Sequence, residues 1–498
     1  MCGIAGTYQV SDPKGVRKML KQIAHRGPDG WGCTETANGT IGHRRLAILD
    51  VESGHQPMQA KETWIAFNGE IYNHLQLKKR HLSGIRLKTR SDTEVILQLY
   101  RKFGPQCVEM LDGMFALAIY QNGELLLARD PLGIKPLYTG QRGDTLYFAS
   151  EIKSLVGLVD AVEAFPPGYW YHSRLGKHQF YDVAAIPRKI SPIEDEQVAV
   201  ERIRETLQQA VQKRLMSDVP LGVSLSGGLD SSIVTFLARE GKPGLNSFAV
   251  GIEGSSDLAA ARLVSRAIGT RHHEYVYSLD EIKQALPEIL YYLESFDPAL
   301  VRSAVANYFL ARLAAEHVKV FLTGEGADEL YAGYAYLNQF ETAEALQAEL
   351  IYITSALHNT NLQRADRLSM AFGLEARVPF LDTASVALAF SLPTAKKLRR
   401  SDWPEKALLR HAFADDLPQS IVSRPKLKFS KGAGSSELIA QEATATISNE
   451  EFLAEQKRLK AMWDYPLKNK EALYYYQILR QFYADEWILP GMGKSRSL

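Results

Sequence analysis

The sequence predicts two differently built halves: an α+β first half rich in antiparallel sheet, and an α/β second half with a parallel sheet and many helices. Three observations carry this. Up to about Tyr181, short apolar runs are separated by turn residues, as in WIAFNGEIYN, GMFALAIYQNGELLLARD and PLYTGQRGDTLYFAS. Beyond it, strand-like runs alternate with glycine turns and helical runs: PLGVSL before SGGLDSS and IVTFLARE, NSFAVGI before LAAARLVSRAIG, VKVFLT before GEGADELYAGY. That alternation is the mark of parallel strands joined by covering helices. Finally, 498 residues exceed what one core supports and imply roughly two to three domains.

In chain order, helical spacing is expected over Val16–Ile23 and, after the Ser91-Asp92 turn, over Thr93–Phe103. Asn122-Gly123, between FALAIY and LLLARD, signals a tight hairpin, and GQRGDTLYFAS a second. Val183–Pro192, with two prolines and little periodicity, reads as a linker. Val200, Ile203, Leu207 and Val211 recur at helical spacing behind an acidic start, so an amphipathic helix opens the second half. The chain after about Leu337 is mainly helical in pattern. The resulting division is 1–182, a linker at 183–195, and 196–498.

Composition narrows the function. At 46% hydrophobic, 23% charged and a formal net charge of +1, the chain has no electrostatic reason to bind nucleic acid or a membrane surface. Three cysteines, Cys2, Cys33 and Cys107, make neither a disulfide framework nor a CxxC zinc site, and a reducing cytosol fits them. No apolar run is long enough to span a bilayer, and MCGIAGTYQVSDPKG lacks the features of a signal peptide. A cytoplasmic protein is expected.

Cys2 follows the initiator methionine. Methionine is readily removed before a small residue, and the thiol then shares its residue with a free α-amino group. With reference pKa values of about 8.5 and about 7.7–8, the amine can take the thiol proton near neutral pH. Alone, Cys2 reads better as a small residue starting a strand. Its context supplies what acyl transfer needs: NGE at Asn68–Glu70 offers a side-chain amide and a glycine N–H for an oxyanion. Arg45, in HRRLAILD, could hold an α-carboxylate, while Glu70 and Asp92, in RSD, could hold an α-ammonium. His25 and His43 precede arginines and are expected to brace their turns. Cys33 and Cys107 are expected to be small core residues.

In SGGLDSS, Gly227 and Gly228 let the backbone approach a phosphate at a helix start, and Ser226, Ser231 and Ser232 add hydroxyls. Asp230 could hold Mg²⁺ against the phosphates. There is no GxxxxGK[ST], so this is not the nucleoside-triphosphatase P-loop. Thr323-Gly324 follow a strand as a nucleotide-contacting turn would, with Glu325, Asp328 and Glu329 close behind, although a helix start draws acids anyway. Lys406, Arg410 and the basic run RPKLKFSKG could neutralise phosphate or sit on the surface.

MCGIAG, RGPDG, HRRLAILD, NGEIYN, RSDTEV and RDPLGIKPLY resemble the amidotransferase domain of the N-terminal-nucleophile class, in the version found in glutamine-dependent asparagine synthetases. The likeness covers essentially the first 180 residues. SGGLDSS through RPKLKFSKG is similar to the synthetase domain of the same family, an ATP-pyrophosphatase fold that splits ATP between the α and β phosphates. The resemblance implies Cys2 as nucleophile and Asn68 with Gly69 as the oxyanion hole. It implies glutamine binding by Arg45, Leu46, Ala47, Ile48, Leu49, Asn68, Gly69, Glu70 and Asp92. ATP would meet Leu225, the Ser226–Ser232 loop, Val250, Thr323 and Gly324. Glu325 would assist the acyl-adenylate chemistry, Lys426 would face pyrophosphate, and Asp230 and Asp328 would bind Mg²⁺.

The implied reaction is aspartate + ATP + glutamine + water → asparagine + AMP + pyrophosphate + glutamate, with ammonia passed inside the protein between two sites. A homodimer is typical of the family. Two stretches depart from its pattern: LESFDPALVRSAVANY only partly matches a run closer to TxIRxSxP, and Lys431 stands where Asp is common. Amidation of a peptide or cell-envelope acid, or a glutaminase whose nucleotide-binding half only regulates, are the other readings of the same plan. Intact Cys2 counts against relatives of the same plan that close β-lactam rings, and near-neutral charge without a cysteine pair against thiolation of tRNA.

Overall fold

The computed structural model describes residues 2–398, 405–426 and 436–495, with side chains of the last stretch from residue 440 on. The twelve strands described in the first half are β1 Gly3–Tyr8, β2 Gly30–Thr36, β3 Gly39–Arg45, β4 Met58–Ala60, β5 Thr63–Ile71, β6 Gly113–Gln121, β7 Glu124–Arg129, β8 Tyr138–Arg142, β9 Thr145–Ala149, β10 Val162–Ala164, β11 Tyr169–His172 and β12 Gly176–Gln179. They form two antiparallel sheets, in the orders β10-β8-β9-β1-β3-β2 and β12-β11-β7-β6-β5-β4. Both expected hairpins are present. Asn122 and Gly123 take positive φ between β6 and β7, and Gly143 does so between β8 and β9.

The sheets face each other across Ile4, Ile41, Ala66, Ala118, Leu127 and Phe148. Helix Pro13–Gln22 covers one outer face and helices His74–His81 and Asp92–Phe103 the other. The first of these begins three residues before its apolar periodicity. Asp12 caps it by accepting from the Gly15 N–H at 2.8 Å, and Pro13 is pre-set for a first turn. It can sit tightly on β3 because Gly42 has no side chain: a Cβ there would come within 2.7 Å of Leu20 and 2.8 Å of Val16.

The second half carries β13 Leu221–Ser224, β14 Asn246–Gly251, β15 Arg271–Val276, β16 Val320–Leu322 and β17 Glu375–Arg377, all parallel, in the order β15-β14-β13-β16-β17. Strand β13, leading into SGGLDSS, lies at the centre, so the loop after it opens at the carboxyl edge where such sheets bind ligands. Helix Glu196–Arg214 buries Ile203, Leu207 and Val211 as the spacing predicts, with Val200 half-buried.

The two halves share apolar cores. One joins Ala5, Leu20, Tyr138 and Leu155 to Leu286, Leu300 and Tyr476; another joins Leu46, Ile48 and Leu132 to Leu207, Val223 and Leu322. The 183–195 stretch is anchored at its start, whereas most of 188–195 is exposed. Val183 and Ile186 are buried, and Ile186–Lys189 forms a helical turn.

Candidate functional site

Cys2 is buried just before β1. Its N–H donates to Asn68 Oδ1 at 3.0 Å, and its Sγ lies 3.8 Å from the Leu46 carbonyl oxygen. Burial pushes the thiol up, which the Leu46 contact partly offsets. With Oδ1 committed to Cys2, Asn68 Nδ2 is a buried donor with no partner among the described residues. An orphaned buried donor costs about 1–3 kcal/mol unless a ligand accepts from it. Gly69 follows in a spot closed to any side chain, since a Cβ would fall 2.0 Å from the Met114 carbonyl on β6.

β4 pairs with β5 only through residue 65, so side chains finish the free edge. Gln56 Oε1 accepts from the Phe67 N–H at 2.7 Å, and His43 Nε2 lies 3.1 Å from the Phe67 oxygen. Burial drives His43 down to about 3, so it is a neutral brace, as expected. Among the other expected structural residues, His25 contacts Glu151, Cys107 is fully buried, and Cys33 is half-buried.

The residues expected around an amino-acid substrate gather here, with one difference. Arg45 is already engaged, donating to the carbonyls of Asp50 at 2.7 Å and Val51 at 2.8 Å, which shapes the Leu46–Leu49 loop. Asp29 anchors that loop by accepting from the Ala47 N–H at 2.8 Å, and the Ile48 carbonyl accepts from Asp218 of the second half at 3.1 Å. Glu70 and Asp92 are both buried, and burial raises both. Glu375 of β17 adds to that rise in each, and Glu70 Oε2 has no partner among the described residues. Raised carboxyls of this kind are ones that a ligand cation would bring back down.

The second site is a cavity of about 500 Å³ at the carboxyl edge of the parallel sheet. Leu225, Ser226, Gly228, Asp230, Ser231, Val250, Thr323, Gly324, Glu325, Asp328 and Lys426 all line it. Gly228 caps helix Leu229–Gly241 without a side-chain bond, which leaves its first N–H groups for an anion. Gly324 packs so close that a Cβ would lie 2.9 Å from Asp230 Cβ. Ser232 is not brought to the cavity: its hydroxyl donates to the Gly228 carbonyl at 2.8 Å and is fully buried. Gly227 lies behind the wall, with φ +69° and its carbonyl accepting from Arg424 at 3.1 Å.

Asp230 and Asp328 meet the same two ammonium groups. Lys406 Nζ is 2.6 and 2.7 Å from the Asp230 oxygens and also bonds Asp328, while Lys426 Nζ is 2.7 Å from Asp328 and 3.5 Å from Asp230. Against the upward push of burial, the two lysines hold Asp328 well below the usual carboxylate range. Two carboxylates that share partners lie within reach of one divalent cation, so the donor set fits Mg²⁺ with phosphate oxygens as further ligands. Beside them Glu325 pairs with Arg364 at 2.5 Å. Glu329, raised to about 7 by burial and by Asp328, accepts from Tyr334 OH at 2.5 Å and from Asn361 Nδ2 at 2.9 Å.

Helix Asn361–Met370 reaches both sites. Arg364 faces Glu325; two residues on, Asp366 accepts from Arg26 at 2.7 Å, and Arg26 Nε donates to the Cys2 carbonyl at 3.0 Å. Strand β17 makes a second link. Arg377 Nη2 lies 3.7 Å from Glu70, and the Arg377 carbonyl accepts from the Thr323 N–H at 2.9 Å.

Lys406 is the main residue that sequence reasoning left undecided. It sits at φ +57° ahead of helix Ala407–Ala412, a placement KALLR does not advertise. Arg410 lines the same cavity and is held in place by Glu405 at 2.6 Å. Arg26, Arg364 and Glu375 were not singled out either, because their partners come from distant segments. Lys431 and most of RPKLKFSKG lie outside the described residues.

The glutamine amidotransferase domain family matches residues 1–167, and the asparagine synthase family matches residues 202–344 and 338–489. The chain is 39% identical to a probable glutamine-hydrolysing asparagine synthetase of Schizosaccharomyces pombe, over 97% of this chain and 94% of that protein. It is 36% identical to glutamine-hydrolysing asparagine synthetase 1 of Arabidopsis thaliana, covering 97% and 87%. To asparagine synthetase B (glutamine-hydrolysing) of Escherichia coli it is 35% identical, covering 97% and 91%.

Proposed function

The chain belongs to the glutamine-hydrolysing asparagine synthetase family, and from that premise we propose that it makes L-asparagine from L-aspartate, ATP and glutamine-derived ammonia. The observation that carries the glutaminase step is Asn68. One side chain holds the Cys2 nitrogen and aims an unpartnered donor into the same buried space. Once Met1 is removed, that nitrogen is the α-amine that takes the thiol proton. The thiolate attacks the glutamine amide carbon, Asn68 Nδ2 and the Gly69 N–H meet the oxyanion, and ammonia leaves. Water then cleaves the thioester to glutamate. Glu70 and Asp92 receive the α-ammonium of glutamine, while remaining N–H groups of Arg45 and the loop Leu46–Leu49 hold its carboxylate end.

In the second site, Leu225 and Val250 border the nucleotide. Ser226, Gly228 and Ser231 receive its phosphates together with Thr323 and Gly324, and Gly227 lets the loop turn. The aspartate β-carboxylate attacks the α-phosphorus and pyrophosphate departs toward Lys426 and Lys406. Ammonia then displaces AMP from the acyl carbon, with Glu325 close to the reacting centre. Asp230 and Asp328 would hold Mg²⁺, which when bound offsets phosphate charge. Residues 1–182 are taken as the glutaminase domain, 183–195 as the connector and 196–498 as the synthetase domain.

A cytosolic homodimer completes the proposal. No helix among the described residues is long and apolar enough to cross a membrane, and its three cysteines are free. Light scattering tests the dimer.

The deciding experiment supplies glutamine, Mg-ATP and aspartate, and measures asparagine, AMP and pyrophosphate together. All three are expected in equal amounts, and Cys2→Ala should make them only from ammonia. Glutamate without pyrophosphate would mean a different acceptor acid, and glutamine use by Cys2→Ala would overturn the nucleophile assignment.

A further inference from the structure

Helix Pro298–Ala315 carries the stretch that departs from the family pattern, and it forms one wall of the 500 Å³ cavity. Ala299, Ser303 and Asn307, spaced four apart and therefore on one helical face, line that cavity. The helix cannot easily roll. On its other side Arg302 Nε bonds Glu471 at 2.8 Å. Its cap Asp297, besides accepting from the Ala299 N–H at 3.0 Å, accepts from Ser495 Oγ at 2.8 Å and pairs with Lys468 at 2.7 Å. Strap and cap thus fix which residues face inward.

What this face offers is unusual for the site. The phosphate-binding loop and the lysines supply charge and N–H donors, whereas Asn307 supplies an amide whose Oδ1 is shut off from solvent and has no partner among the described residues. A half-turn about its broad terminal torsion exchanges the amide oxygen and nitrogen, so the residue can offer either an acceptor or a donor to a ligand. An acceptor left in this way calls for a donor on the ligand, and a buried ammonium is the strongest one available. The Ser303 hydroxyl, donating back to the Ala299 carbonyl at 3.3 Å, adds a second acceptor oxygen one turn earlier.

We propose that Asn307, seconded by Ser303, is the specificity-determining contact for the α-ammonium group of the amino-acid acceptor. This rests on the reading of the cavity as the adenylation site. It assigns to this chain a neutral-acceptor subsite on the helix that carries the departure from the family pattern.

The test uses the full-length protein with ammonia as nitrogen source, so that the glutaminase is bypassed, and follows pyrophosphate. Release by the wild type with aspartate checks the underlying reading independently. Asn307→Leu is expected to raise KM for aspartate about 10- to 100-fold, the range for losing one charge-assisted hydrogen bond, with KM for ATP within twofold. Glutamate formation from glutamine, measured on the same sample, should be unchanged and reports that the variant is folded. Wild type should also prefer aspartate over succinate, its des-amino analogue, by a comparable factor, a measurement that needs no variant. Asn307→Asp, which keeps an acceptor oxygen, should retain most of the aspartate affinity. A rise in KM for ATP instead of aspartate, unchanged constants for both, or a wild type indifferent to the α-amine would overturn the proposal.

Discussion

Replacing Asn68 by Asp separates two jobs that the native side chain does at once. The variant keeps Oδ1, and with it the 3.0 Å acceptor for the Cys2 nitrogen, so the nucleophile should stay in place. What it loses is the donor Nδ2, buried and unpartnered, which is the group free to meet an oxyanion. A carboxylate oxygen would stand there instead. Loss of one such donor costs roughly 2.7–4 kcal/mol of transition-state stabilisation, or about 10²–10³ in kcat. Repulsion from the new charge places N68D at or beyond the lower end of that activity range. Glutamate release is the assay, with ammonia-dependent pyrophosphate release as the control expected to stay near wild type. A variant that keeps glutaminase kcat within threefold would refute the assignment of Asn68. So would equal loss of the ammonia-dependent reaction.

Three further outcomes are expected. Asp366→Asn should lower unfolding free energy by about 3–5 kcal/mol at pH 7, because it removes a carboxylate shared by the buried Arg26, Lys135 and Arg367 and leaves Arg26 with Glu151 alone. Those cations hold the Asp366 carboxyl below its usual range against the upward push of burial, so its stabilising share is present above about pH 4 and fades as pH falls through the lowered value. Urea titrations at pH 7 and at acid pH should therefore show the gap closing. Lys406→Met leaves Asp230 and Asp328 with Lys426 alone, and should destabilise the protein by a similar ~3–5 kcal/mol, part of which added magnesium recovers. Calorimetry with and without the metal reads both effects. Glu70 must be ionised to hold an α-ammonium, and burial, then Glu375 and Asp92, raises its pKa. KM for glutamine should consequently climb on acidification well above the ordinary carboxylate range, and Glu70→Gln should flatten that climb.

Much of this was legible in the sequence because it is local. Asn122-Gly123 specifies its hairpin through positive φ, and Leu207 and Val211 specify a helix face through spacing. SGGLDSS after an apolar run specifies a strand, a turn and a helix start. The same locality put Cys2, Asn68, Glu70, Asp230 and Asp328 on the page as candidates. What spacing cannot express is pairing across distance. Arg26 meets Asp366, and Glu375 reaches the carboxyls beside Cys2, only after all three sheets and the helices around them have packed. The linker expected at 183–195 reads as loose because prolines suppress periodicity, yet Val183 and Ile186 find a core that the other half provides. Ser232 shows the reverse case: a hydroxyl in a phosphate-loop motif, used up by the carbonyl one turn back.

The shared cores also bear on how such a protein can be taken apart or assembled. Ala5, Leu20, Tyr138 and Leu155 belong to one apolar core with Leu286, Leu300 and Tyr476. A gene cut near residue 182 would yield two polypeptides, each with a large greasy scar where the other belonged. Such fragments would be expected to precipitate when made singly and to survive only when made together. The two chemistries are thus inherited as one object. Neither half can be traded for another supplier or consumer of ammonia unless the replacement brings the matching half of that interior.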